Sequence, residues 1–287
     1  MRTDPLTAHS RRWAALAVVA VALALVAVAG SAATAPGPAI QTSTPTSERQ
    51  ITNIDVLRQQ IRNYYGDPLG TGEFAADGNY AREASAVAAR GERYLARRAS
   101  PPKKGAPGRK AIVLDVDDTT LATWNYEIPS NWAFNPTTNG EFVTAQRFPA
   151  VPGIVAMVQE AARKGYAILY LTGRGAAQEP ATLGNLTADG VGVDAGYPAP
   201  TALSNGEDGL FTKPAPADYP DYLQAACAEE VAAARSCTTI HYKSATRAHI
   251  ESLGYDIVAD FGDQFSDLVG GSADRTFKLP NPNYYLP

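Results

Sequence analysis

Apolar residues recur every third or fourth position in "NIDVLRQQIRNYY", residues 53–65, so Ile54, Leu57, Ile61 and Tyr64 share one face of a predicted helix. The alanine-rich stretch 79–99 predicts a second helix, with Glu83, Arg90, Glu92 and Arg97 on its solvated side. "SPPKKGAPGRK" ends that pattern, and from residue 110 the texture changes. Short continuous apolar runs now alternate with helical ones. "AIVLDV" precedes "GIVAMVQEAARK", "YAILYLT" precedes a helix near 175–188, "TTIHYK" precedes "SATRAHIESL", and "YDIVADFG" comes last. Continuous apolar strands separated by helices predict a parallel sheet covered on both faces. Such sheets bind ligands at the carboxyl ends of their strands. The two N-terminal helices carry no catalytic pattern and are expected to pack on the domain that follows.

The first 35 residues read differently. Arg2, Arg11 and Arg12 precede an uninterrupted apolar run from Ala14 to Ala29, and small residues follow in "AGSAATAPGPA". This is a secretory signal pattern, with a cleavage point after Ala33 or Ala35. The run is shorter than the roughly 20 residues of a spanning helix, which makes an uncleaved anchor the second choice. Arg11-Arg12 resembles a twin-arginine signal but is followed by weakly hydrophobic alanines. The lack of a nearby cysteine argues against a lipid anchor. Residues 36–47, rich in Pro, Ser and Thr, form a flexible linker. The expected organisation is a signal at 1–35, the linker, N-terminal helices within 48–109 and a catalytic core at 110–287. The location implied is secreted or cell-envelope, with no stable membrane insertion after cleavage.

Composition sharpens this in two ways. A hydrophobic fraction of 45% over 287 residues suffices for one large core, and the net charge of −4 shows no excess of basic groups, so a nucleic-acid polymer is not the expected partner. Removing residues 1–35 moves that charge to −6. Export also favours a disulfide between Cys227 and Cys237, the only two cysteines. Two isolated cysteines make no zinc site.

The chemistry gathers at four predicted strand ends. They are "DVDDT" at 115–119, "LTGR" at 171–174, Lys243 at the end of "TTIHY", and "GDQFSD" at 262–267. Asp115 and Asp117 are two apart and point to one side of an extended chain. Asp263 and Asp267 can bring further carboxylates to the same rim. Unpaired, such a group costs several kcal/mol, and an oxygen-preferring cation such as Mg²⁺ removes that cost. Lys243 adds a positive charge, and Thr172 with the N–H groups around Gly173 supplies donors for an anion. A metal, a lysine and a donor loop around carboxylates describe phosphoryl transfer.

In order and spacing these four motifs resemble the haloacid dehalogenase superfamily, and "HYKSATRAHIESLGYDIVADFGDQFSDL" with the closing "LPNPNYYLP" resembles its secreted acid phosphatase branch, class B or subfamily IIIB-like. The resemblance implies a Rossmann-like three-layer α/β/α sandwich with a mostly parallel sheet, N-terminal helices and a small cap insert. It implies a Mg²⁺-dependent phosphomonoesterase acting on small-molecule phosphate esters. By the same resemblance Asp115 is the nucleophile that forms an aspartyl-phosphate intermediate, and Asp117 is the general acid and base. Thr172, Gly173 and Lys243 bind phosphate, and Asp115, the carbonyl of Asp117, Asp263 and Asp267 hold the metal. Phosphotransfer through the same intermediate, or a storage protein without turnover, are the alternatives.

Other residues carry smaller expectations. Asp118 is expected to be solvated or to cap a helix, and Thr119 to close the turn by bonding backbone. Arg174 touches substrate or forms an ion pair at the rim, and His241 is a core histidine on its strand. Trp124, Tyr126, Trp132, Phe134 and Phe142 either stack on substrate or line the underside of a cap. Residues 196–217 are expected to be a long loop forming another wall.

Overall fold

The computed structural model describes residues 44–98, 108–187 and 190–286, so the signal segment and the linker up to residue 43 lie outside it. In chain order the elements are α1 (Ile54–Tyr65), α2 (Asn79–Arg97), β1 (Arg109–Leu114), α3 (Trp124–Ser130), α4 (Pro136–Thr144), α5 (Ile154–Arg163), β2 (Ala167–Gly175) and α6 (Glu179–Leu186). Then come β3 (Leu210–Lys213), α7 (Asp221–Ala226), α8 (Ala228–Ala232), α9 (Thr239–Ser252), β4 (Tyr255–Gly262), α10 (Phe265–Leu268) and β5 (Thr276–Lys278). The sheet order is β3-β2-β1-β4-β5, and every neighbouring pair is parallel.

Alternation along β1 divides the core in two. Ile112 and Leu114 face a cluster with α2 and α5, whereas Ala111 and Val113 face a cluster with α7 and α9. The α/β class and its parallel sheet are therefore present, as the continuous apolar runs require. From β1 the chain first builds outward through β2 and β3, then returns to place β4 and β5 on the other side. The reversal lies between β1 and β4, where open α/β sheets leave a crevice beyond the strand ends.

The N-terminal helices do pack on the core. Gly91 of α2 lets the helix approach closely, since a Cβ there would come within 2.7 Å of Met157 Sδ and of a ring carbon of Phe261. Tyr65 at the end of α1 stacks on Trp124 with ring centroids 4.0 Å apart, and the Trp124 indole donates to Asp67 at 3.0 Å. Ile54 and Leu57, however, are exposed, so the predicted apolar face is covered only toward its C-terminal end.

Two sequence expectations change here. "TTIHYK" does not form a strand: it is the start of α9. The Thr238 hydroxyl caps that helix by accepting from His241 N–H at 3.1 Å, and Ile240, Lys243, Arg247 and Ile250 are buried at helical spacing. Capping and the 3.6-residue period override the local preference of Thr and Ile for strands. His241 is thus helical, partly exposed and paired with Glu230, not a core histidine on a strand. Residues 196–217 are likewise not wholly loop, since they supply the edge strand β3.

Cys227 and Cys237 are joined, with Cα atoms 5.3 Å apart, and both are buried in the cluster beneath α9. Replacing both by serine is expected to lower the unfolding free energy by about 2–3 kcal/mol, the value for closing a loop of this length. Urea denaturation with and without reductant measures it, and a thiol titration of the unreduced, unfolded protein should find no free thiol.

Candidate active site

Beyond the end of β1 the chain turns sharply. Asp118 has φ 52°, in the left-handed region that Asp tolerates, and its N–H donates to Leu121 O at 2.7 Å. Asp118 is fully buried, not solvated. It accepts from Thr123 N–H at 3.0 Å and from the Thr123 hydroxyl at 2.6 Å, which fixes the start of α3. Burial pushes its carboxyl up to about 6 against these hydrogen bonds. Thr119 closes the turn through its N–H, which donates to Val116 O at 3.3 Å, while its hydroxyl donates to Asp263 at 3.2 Å. The Thr120 hydroxyl braces the same turn, donating to the Asp115 and Val116 carbonyls at 3.2 and 3.1 Å.

The insert that follows is α3 and α4, closed at its base by Ala122 N–H to Pro149 O (2.8 Å) and Val151 N–H to Thr120 O (2.9 Å). It forms the small cap. Trp124 and Tyr126 are buried in the core cluster, with Trp124 stacked on Tyr65, whereas Phe134 is 72% exposed at a cavity mouth.

A cavity of about 240 Å³ opens at the strand ends, lined among others by Asp115, Asp117, Gly173, Arg174, Lys243, Asp263 and Asp267. All four predicted motifs therefore reach one place. Lys243 enters from the second turn of α9 and bonds both Asp115 and, at 2.6 Å, Asp267. The other Asp267 oxygen accepts from Gln264 N–H at 2.8 Å. Gly262 permits this closeness, since a Cβ there would fall 2.3 Å from Asp267 Cβ. Asp263 accepts from Gln264 (2.6 Å) and Asn281 (2.7 Å).

One oxygen each of Asp115, Asp263 and Asp267 lies within 4.8 Å of the others, and all three residues are buried. Burial raises the Asp115 carboxyl well above the usual range despite Lys243, and burial with the charge of Asp267 pushes Asp263 up to about 7. Three oxygen donors served by one ammonium leave negative charge uncompensated. That donor set suits a hard divalent cation.

The Asp117 carboxylate, expected to serve as acid and base off the metal, lies outside the trio, and Arg174 holds both its oxygens, at 2.6 Å from Nη2 and 3.1 Å from Nε. Arg174 is thus an ion-pair partner of Asp117, reached from the neighbouring strand. Thr172, predicted to bind phosphate, is fully buried and its hydroxyl accepts from Arg174 N–H at 3.1 Å, so it braces the donor loop while Gly173 lines the cavity.

The sequence reading missed several supporting residues. Arg247, fully buried on α9, lies 3.2 Å from Asp260 and donates to the carbonyls of Asp267, Val269 and Gly271, which pins the turn carrying Asp267. It sits four residues after Lys243, a helical spacing hidden once the segment is read as a strand. Glu127, on α3, is buried, and no group among the described residues donates to its carboxylate. Burial, then Asp118 and Asp117, push it up to about 8.

A profile of the family described as HAD superfamily, subfamily IIIB (Acid phosphatase), matches residues 41–287. The chain belongs to this family. Relatives include the stem 28 kDa glycoprotein of Glycine max, 29% identical over 62% of this chain, and acid phosphatase 1 of Solanum lycopersicum, 29% identical over 63%. Vegetative storage protein 2 of Arabidopsis thaliana is 28% identical over 61%. The matches span 61%, 61% and 56% of those proteins, so the chain aligns with about three-fifths of their length. Among solved structures the class C acid phosphatase from Bacillus anthracis with tungstate bound shares the fold at TM-score 0.53 and 18% identity, over 80% of this chain and 86% of that one.

Glu127 generates a test of the buried charge. An acid whose carboxyl is raised from 4.5 to about 8 on folding keeps a proton that the unfolded chain has released. Its contribution to stability is complete below about 4.5 and lost as pH rises through 8. Glu127→Gln is therefore expected to stabilise the protein at pH 8 by a few kcal/mol relative to its effect at pH 4.5. Denaturant melts at the two pH values measure the difference, and equal effects would contradict the burial argument.

Proposed function

We propose that this chain is a secreted, Mg²⁺-dependent phosphomonoesterase that works through an aspartyl-phosphate on Asp115. The observation that carries the reading is the buried meeting of Asp115 with Lys243, Asp263 and Asp267 at the head of the sheet, beside the Arg174-held Asp117. Mg²⁺ fits the oxygen donors of Asp115, Asp263 and Asp267, with the Asp117 carbonyl as a further donor, and when bound supplies charge neutralisation for the phosphoryl oxygens.

The chain's own residues do the rest. Asp115 Oδ attacks phosphorus while the ester P–O bond breaks, which divides one displacement into two. Lys243 and the N–H groups around Gly173 hold the transferring oxygens. Asp117 gives a proton to the departing alkoxide, then takes one from the water that releases phosphate. Both Asp117 oxygens are held by Arg174, so the proton transfer requires one of them to be freed. A phosphoryl group between Gly173 and Lys243 is a competing anion for that guanidinium. The signal pattern of residues 1–35 supports export, and the Cys227–Cys237 bridge agrees with an oxidising compartment. No helix of the described residues is long and apolar enough to cross a membrane.

Hydrolysis of p-nitrophenyl phosphate is expected to fall on chelation and return with millimolar Mg²⁺. Asp115→Asn should lose both turnover and the trapped phosphoenzyme; a robustly active variant would overturn the nucleophile assignment. A wild type that hydrolyses no phosphate ester would instead favour the storage reading suggested by the name of the Arabidopsis relative. Asp117→Asn is expected to lose roughly 10²–10⁴-fold in kcat, with a larger loss for alkyl esters than for p-nitrophenyl phosphate, whose leaving group needs little protonation. Equal losses would assign Asp117 another role.

A further inference from the structure

A second chamber, of about 230 Å³, adjoins the first. Asp117, Phe134, Asn139, Tyr284 and Leu286 line both, while Thr123, Glu127 and Trp132 belong to the second alone. The carboxylate trio and Lys243 border only the first. The phosphoryl group therefore has one chamber and Asp117 stands between the two. An ester whose bridging oxygen meets Asp117 must extend its leaving group toward the second.

The walls of that chamber are chemically uneven. Three aromatic rings, Trp132, Phe134 and Tyr284, accompany two acidic side chains, Asp117 and Glu127, of which Glu127 is 8% exposed and has no donor among the described residues. Asp117 beside it is already neutralised by Arg174. Arg58 and Arg62 stack on Trp132 at 5.8 and 5.7 Å but line neither chamber. Asp118, also negative, is near enough to raise the Glu127 carboxyl further. Glu127 keeps its proton up to about pH 8, and a cation with an apolar surface seated beside it is what would let it ionise. Aromatic rings beside a carboxyl group that ionises next to a cation suit an alkylammonium group, whereas a neutral ring would leave Glu127 protonated and without a partner.

We propose that the second chamber is a leaving-group subsite for phosphomonoesters of alkylammonium alcohols, with Glu127 and the rings of Trp132, Phe134 and Tyr284 as its specificity determinants. The inference rests on the phosphatase reading for the reaction it serves. In that reaction the P–O ester bond breaks, the alkoxide takes its proton from Asp117, and the amino alcohol leaves through the chamber.

Choline phosphate and 3,3-dimethylbutyl phosphate have the same shape and differ by one charge. With the Mg²⁺-loaded full chain at pH 8, kcat/KM is expected to favour choline phosphate by ~10-fold or more, and Glu127→Gln should bring the ratio close to one. Calorimetric titration of the wild type with choline and with 3,3-dimethylbutanol gives a readout independent of turnover and of how the variant folds. Choline should bind and the alcohol should not. Equal kcat/KM for the two esters in the wild type, or an unchanged ratio in the variant, overturns the subsite. Choline binding without hydrolysis of any ester would keep the subsite and remove the phosphatase reading. Hydrolysis of p-nitrophenyl phosphate with no preference for the cationic ester does the reverse.

Discussion

The rest of the site depends on Lys243 being held, almost wholly out of water, between Asp115 and Asp267. An ammonium and two carboxylates in such surroundings are each costly alone, and they are tolerable together because each supplies the other's missing charge. Asp263, a third buried carboxylate, receives no cation among the described residues and is met by the neutral donors Thr119, Gln264 and Asn281. The structure thus stores an excess of negative charge at a fixed place. A divalent cation and a phosphate ester complement that excess, the one by its charge and the other by bringing anionic oxygens that need the cation and the lysine together.

Holding that cluster requires rigidity at several removes. α9 delivers Lys243, and four residues later Arg247 clamps the carbonyls of the turn bearing Asp267, so a single helix positions both members of the ion pair. Gly262 lets that turn lie against β4. Asp118, buried and hydrogen-bonded to Thr123, converts the exit of β1 into the start of the cap. The cap is braced from behind by Trp124, stacked on Tyr65 and bonded to Asp67, which gives the N-terminal helices a mechanical role in shaping the cavity though they contribute no chemistry.

Much of this is legible in the sequence. The apolar runs 111–116, 166–172 and 255–262 mark β1, β2 and β4 to within about three residues, because strands buried on both faces tolerate few polar residues. The D-x-D-x-T and G-D-x-x-x-D patterns survive in sequence as spacing, since both carboxylates of each motif come from one short segment. Other features were hidden by their nature. The Arg174–Asp117 pair joins residues 57 apart, Asn281 reaches Asp118 and Asp263 from the chain's far end, and Glu127 looks like an ordinary polar position in a short helix. The strand read into "TTIHYK" failed because Thr and Ile favour strands locally, whereas a Thr238 cap and burial of every third or fourth residue decide for helix.

By itself, the sequence determined the alternation of strands and helices, the four motif-bearing segments and the identity of the charged groups, because periodicity and local spacing are properties of contiguous chain. Tertiary structure decided how those charges are shared. It gave Lys243 to Asp115 and Asp267, gave Arg174 to Asp117, and left Glu127 facing aromatic rings without a partner. Those outcomes follow from which elements pack together and how much water they exclude, and pairing between distant buried charges leaves no mark in local sequence.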